Sequence, residues 1–177
     1  MSVITSPIGT RHPQVPGKSI LERALATAAA WLTAHSITAL RVSLGLVFLG
    51  FGVLKFIPGA SPAEELVMRT IDTLTLGMVS GTAAVVMTAV LETFIGLTLV
   101  TGIALRAGLV VLAGSLVGIM SPVVLFAGDL FPGGVPTLEA QYVLKDIILA
   151  AAGAVVAARA LGARYVLDEH TDTPSVS

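Results

Sequence analysis

The chain has 177 residues, of which 55% are hydrophobic and 12% charged, and its formal net charge is −1. Water-soluble domains carry about 25% charged residues, so this composition excludes a soluble domain and places the chain in a bilayer. Near-neutrality argues against a nucleic-acid partner, which needs clustered Lys and Arg, and the absence of cysteine excludes disulfides, thiolate metal sites and Fe–S clusters for this chain by itself.

Residues 1–17 mix Ser, Pro, Gly and Thr without period and are expected to be disordered. Over residues 18–36, Leu21, Leu25, Ala28 and Leu32 recur at helical spacing, with Glu22 and Arg23 off that stripe and Trp31 beside it. This pattern predicts an interfacial helix on the cytoplasmic leaflet. A signal peptide is the rival reading, disfavoured because the apolar run is weak and starts late.

Crossing a hydrocarbon core takes about 20 mainly apolar residues, and four stretches meet that length: 37–57, 81–104, 107–127 and 138–160. The predicted fold class is therefore an all-α, integral membrane four-helix bundle over residues 37–162, its second and third spans joined by a bare turn around Arg106. In the first outer loop, SPAE (61–64) reads as a capping box with Ser61 at N-cap, Pro62 at N1 and Glu64 at N3. It opens a short amphipathic helix whose apolar stripe is Val67, Ile71 and Leu74. That helix either lies across the outer mouth of the bundle or is an ordinary loop helix. The second outer loop, GDLFPGGVP (128–136), is rich in turn formers, and residues 163–177 form a tail. Arg11, Lys18, Arg23, Arg106, Arg159 and Arg164 fall on one side, against Arg69 alone among acidic residues on the other, so both termini are expected to be cytoplasmic.

The spans hold charges that a bilayer penalises. Each costs roughly 2.5–3.5 kcal/mol at a helix centre, against about 0.3–0.6 returned by each large apolar residue. Arg41 and Lys55 lie on the first span, Glu92 on the second, and Lys145 with Asp146 on the fourth. Arg41 and Lys55, 14 residues apart, share a face within about 40° but differ in depth by about 21 Å. Gly45 and Gly52 lie on the same stripe and let a neighbouring helix approach closely. Lys55, Glu92, Lys145 and Asp146 all fit the outer half, and their formal charges cancel. Thr88 and Gly96 continue the Glu92 stripe; Gln141 backs Lys145 and Tyr142 backs Asp146 at i, i+4 spacing. The candidate binding residues are thus Arg41, Lys55, Glu92, Gln141, Lys145 and Asp146, with Glu92 and Asp146 as proton-transfer candidates and no metal ligands. The competing interpretations are that Arg41 and Lys55 snorkel to opposite interfaces and that Glu92 belongs to a purely structural ion pair. On the third span, GSLVG (114–118) reads as a helix-packing surface, and Ser121 with Pro122 as a kink that frees a carbonyl.

RVSLG (41–45) and FGVLK (51–55), then ETFIG (92–96) leading to Thr101, Gly102 and Arg106, then Lys145 with Asp146, resemble in this order the DoxX family of small four-helix bacterial membrane proteins. The resemblance covers residues of about 37–162 and implies an inner-membrane location in a bacterial cell. It also implies an association with membrane oxidoreductase complexes that handle oxidative and thiol stress. Two functions from different classes follow. In one, the bundle is a membrane subunit of a redox system, bears no covalent cofactor, and holds a quinone or similar lipophilic carrier beside a redox partner protein. In the other, it is a non-catalytic scaffold or chaperone in which the charges set helix register. On either reading the lipid bilayer is its solvent and a homo-oligomer is compatible; a transporter, the weaker third reading, would need oligomerisation to build a pore.

Overall fold

A computed structural model of the chain describes residues 19–61 and 63–163. The disorder expected for residues 1–17 and for the tail lies outside these, as do Arg11, Lys18, Pro62 and Arg164. The described residues form helices and no sheet: α1 (Ile20–Leu54), α2 (Glu64–Leu74), α3 (Gly81–Thr101), α4 (Leu105–Met120), α5 (Pro122–Leu125), α6 (Ala127–Leu130) and α7 (Leu138–Ala160), with one 3-10 turn at Pro132–Gly134. Among the described residues, three helical stretches are long and apolar enough to cross a membrane: Ile20–Leu54, Gly81–Thr101 and Leu105–Leu125. The fourth expected span forms α7 with the bounds expected of it, though it stands outside that set of three.

Contacts divide the chain into two units, Met1–His35 and Ser36–Ser177. The boundary expected at residue 36 does not interrupt the helix, because Ile20 through Leu44 contain neither Gly nor Pro and are rich in alanine. In the first unit a capping box does form, at Ser19 and Glu22: the Glu22 N–H donates to Ser19 Oγ at 3.2 Å and the Ser19 N–H to Glu22 Oε2 at 2.7 Å. Trp31 stacks on His35 with ring centroids 4.9 Å apart.

The second unit packs around Leu44, Phe48, Ile95, Leu99, Leu112 and Val156, drawn from α1, α3, α4 and α7. The small-residue stripe expected on the first span meets α3. A Cβ on Gly52 would lie 2.7 Å from the Thr93 nitrogen, and one on Gly96 would lie 2.6 Å from the Leu49 nitrogen. The two backbones therefore touch, an approach only glycine permits.

Elsewhere local expectations shift. The capping box expected at SPAE does not form: the N-cap of α2 is Ala63, Ser61 is buried, and Glu64 Oε2 accepts instead from the Gly59 N–H at 2.9 Å. The buried residues of α2 are Leu66 and Thr70; Val67 and Ile71 of the expected stripe are half-buried beside them, and Leu74 is 48% exposed. GSLVG is not a packing surface either, since a Cβ on Gly114 or Gly118 meets nothing within 4 Å. On α4 the tight glycine is Gly108, against the Thr98 side chain. The expected kink is present, as the helix breaks at Ser121. Pro122 has no N–H for the Gly118 carbonyl, and Ser121 Oγ donates to that carbonyl at 2.7 Å in its place.

Candidate functional site

The α1–α3 seam places the first part of the site. Gly52 lets α1 sit against Glu92 and Thr93 of α3, so that Lys55, the first residue past the end of α1, reaches across. Lys55 Nζ donates to Glu92 Oε2 at 2.7 Å, with both side chains buried. A cation at a helix C-terminus is favoured by the helix dipole by about 0.3–1 kcal/mol, which offsets a little of the cost of desolvating the ammonium. The two side chains hold one another in place, because a buried charge stripped of its partner costs about 3–5 kcal/mol.

Lys145 and Asp146 of α7 face the same space as this pair, although sequential helical side chains point about 100° apart. Lys145 resolves the conflict by folding over aromatic faces: its Nζ lies 4.1 Å from the Tyr142 ring centre and 4.8 Å from that of Phe51. Lys55 also lies over Phe51, at 5.8 Å. One phenyl ring thus lies near both cations. Asp146 is half-buried, and among the described residues it makes no ion pair or hydrogen bond.

These four charged groups line a partly open cavity of about 410 Å³ between α1, α2, α3, α4, α5 and α7. Its wall is otherwise mainly apolar, with Thr88, Ser115 and Thr70 adding hydroxyls. The open space beside Gly114 and Gly118 is this cavity, which explains why the GSLVG stretch meets no helix.

Two of the six candidates lie elsewhere. Arg41 donates from Nη1 to the Leu99 carbonyl at 2.6 Å, in the last turn of α3 and beside Gly102. There it satisfies a carbonyl that has no partner within its helix, at the end of the bundle away from the cavity. It neither snorkels freely nor lines the cavity. Gln141 is exposed, and its Nε2 donates to the Pro136 carbonyl at 3.4 Å. Tyr142, not Gln141, supports Lys145. Phe51 has no role in the sequence reading, and Tyr142 is there paired with Asp146, though each stands one turn before a lysine, the spacing at which an aromatic ring can meet a cation. Ser61, Thr70 and Ser115 gave no comparable signal.

Among the described residues no three His, Cys, Asp or Glu side chains gather as a metal site would require. The arrangement can hold an amphiphilic molecule with its apolar body in the cavity and a polar group toward Lys145, Asp146 and the Lys55–Glu92 pair. No protein-family model, curated protein or solved structure matches the chain.

Proposed function

We propose that this is a four-span membrane protein of the bacterial inner membrane, with both termini cytoplasmic, that holds a quinone or similar lipophilic carrier as the cofactor-free subunit of a redox system. The observation that carries this reading is the apolar cavity of about 410 Å³ whose wall includes a buried Lys55–Glu92 pair together with Lys145 and Asp146. Its volume falls in the range of about 300–1,000 Å³ typical of small-molecule sites, which are mainly apolar with a few placed polar groups. Charged side chains within membrane helices commonly mark ligand or proton pathways, and the resemblance to the DoxX family adds the redox setting. Reducing a quinone takes two electrons and two protons. The electrons would come from a donor on a partner protein, the protons through Glu92 and Asp146, with Lys145 hydrogen-bonding the carbonyl.

The test is the lipid extract of the gently purified protein. Quinone copurifies with the wild type and is lost in Glu92→Gln while the bundle still unfolds cooperatively. The scaffold reading draws support from one observation, the direct bond between Lys55 and Glu92, since a structural pair would be arranged in that way. It wins if no quinone copurifies, a protein partner does, and Glu92→Gln lowers stability alone.

A further inference from the structure

We infer that α2 is a hinged lid over the cavity, held shut by an exposed contact between Arg69 and the Phe126–Asp129 turn. The inference rests on reading that cavity as a binding site and concerns access to it, whatever molecule it holds.

Leu66, Val67, Thr70 and Ile71 of α2 line the cavity, and α2 packs against α3, α4 and α5. Removing α2 from this position would open one wall of the cavity. Its packing is chiefly against α3, and its buried residues are Leu66 and Thr70 alone. Segments with few buried apolar contacts are those that open at low free energy.

Both ends of α2 adjoin backbone that is already unusual. Gly59 precedes it at φ 72°. Leu76 follows at φ 54° and Gly77 at φ 82°, and the Leu76 side chain is 90% exposed. A leucine in the left-handed region, with no packing to reward it, is strained, and a swing of α2 could relieve that strain.

The closed position depends on Arg69. Its Nη1 lies 2.7 Å from Asp129 Oδ2, and its guanidinium carbon 4.0 Å above the Phe126 ring centre. Phe126 precedes α6 and Asp129 lies within it, just past the Pro122 break, so one side chain ties α2 to the segment that follows α5. The pair is exposed, at 53% and 62%. Such contacts are weak and screened by salt, as a catch that opens and closes repeatedly must be.

The absence of cysteine makes the test direct. Ser115→Cys places one thiol in the cavity wall on α4, and Ser80→Cys places one on the exposed loop before α3. Full-length protein in its membrane is treated with a charged, membrane-impermeant methanethiosulfonate. The cavity thiol reacts much more slowly than the loop thiol. Adding Arg69→Gln raises the cavity rate on the order of tenfold, the sum of a weak ion pair and a cation–π contact, and leaves the loop rate unchanged. Asp129→Asn, which keeps the ring contact, gives a smaller rise. Raising the salt from about 0.05 to about 0.5 M speeds the cavity reaction only while Arg69 and Asp129 are both present. The inference is overturned if the cavity thiol already reacts as fast as the loop thiol, or if neither latch substitution changes its rate. Because labelling reads access and the lipid extract reads the ligand, failure of one idea leaves the other standing.

Discussion

Two ion pairs in this protein have the same length and opposite settings. Lys55–Glu92 and Arg69–Asp129 are each 2.7 Å from nitrogen to oxygen, but the first has side chains 6% and 7% exposed and the second 53% and 62%. Distance therefore says little about what each contributes. In the buried pair the attraction is strong and the desolvation cost is also large, so its net worth is small while the cost of breaking it is high. In the exposed pair water screens both quantities, and breaking it costs about 1 kcal/mol or less. The first pair can serve as a fixed wall of the cavity and the second as a catch.

The largest expected effect comes from breaking the buried pair on one side. Glu92→Ala leaves Lys55 buried and unpaired and should destabilise the bundle by about 3–5 kcal/mol, measured by reversible unfolding in mixed micelles. The double variant Lys55→Met/Glu92→Leu should return to near wild-type stability. If Glu92→Ala is nearly neutral, the pair is better solvated than its burial implies and the contrast between the two pairs collapses.

Next is the seam that brings the pair together. Gly52→Val drives methyl groups into the Thr93 backbone and should cost about 1–3 kcal/mol or more by overpacking. It should also weaken the Lys55–Glu92 contact, so adding Glu92→Ala to it should cost less than Glu92→Ala costs alone. Additive costs would mean that the close approach at Gly52 does not set the pair.

A smaller loss is expected at the other end of the bundle. Arg41→Met removes a charged hydrogen bond to the Leu99 carbonyl and should cost about 1.5–3 kcal/mol without changing what copurifies in the lipid extract. A change in the copurifying lipid would tie Arg41 to the cavity after all. The smallest change in stability belongs to Gly118→Leu, which points a side chain into open cavity space and should be neutral or gain up to about 1 kcal/mol of helix propensity. That substitution fills the cavity, so bound lipophile should be displaced while the fold is retained.

How far these features can be read from the sequence differs from residue to residue. The bounds of α7, the Gly45/Gly52 stripe and the Ser121–Pro122 break are local properties, decided by apolar run length, side-chain size and a missing N–H. Motifs with two possible uses were misassigned: SPAE has the residues of a capping box but does not form one, whereas Ser19 and Glu22 do. GSLVG carries the small-residue spacing of a packing surface but faces empty space, because spacing does not reveal whether a neighbour is present. For Arg41 the chain indicated that a charge needed a partner. That the partner is a backbone carbonyl of α3 has no sequence signature, since every residue has one.

Hydropathy along the chain was sufficient to determine that this protein is helical and membrane-compatible, and that several of its charges sit in apolar runs and must be compensated. Only the tertiary structure decided which charge meets which: Lys55 with Glu92, Lys145 with two aromatic rings, Arg69 with a turn about sixty residues on. The reason is geometric. Helical periodicity sets the face each side chain occupies on its own helix, whereas pairing depends on how closely and at what rotation two helices meet, and at Gly52 that is settled by contact between two backbones.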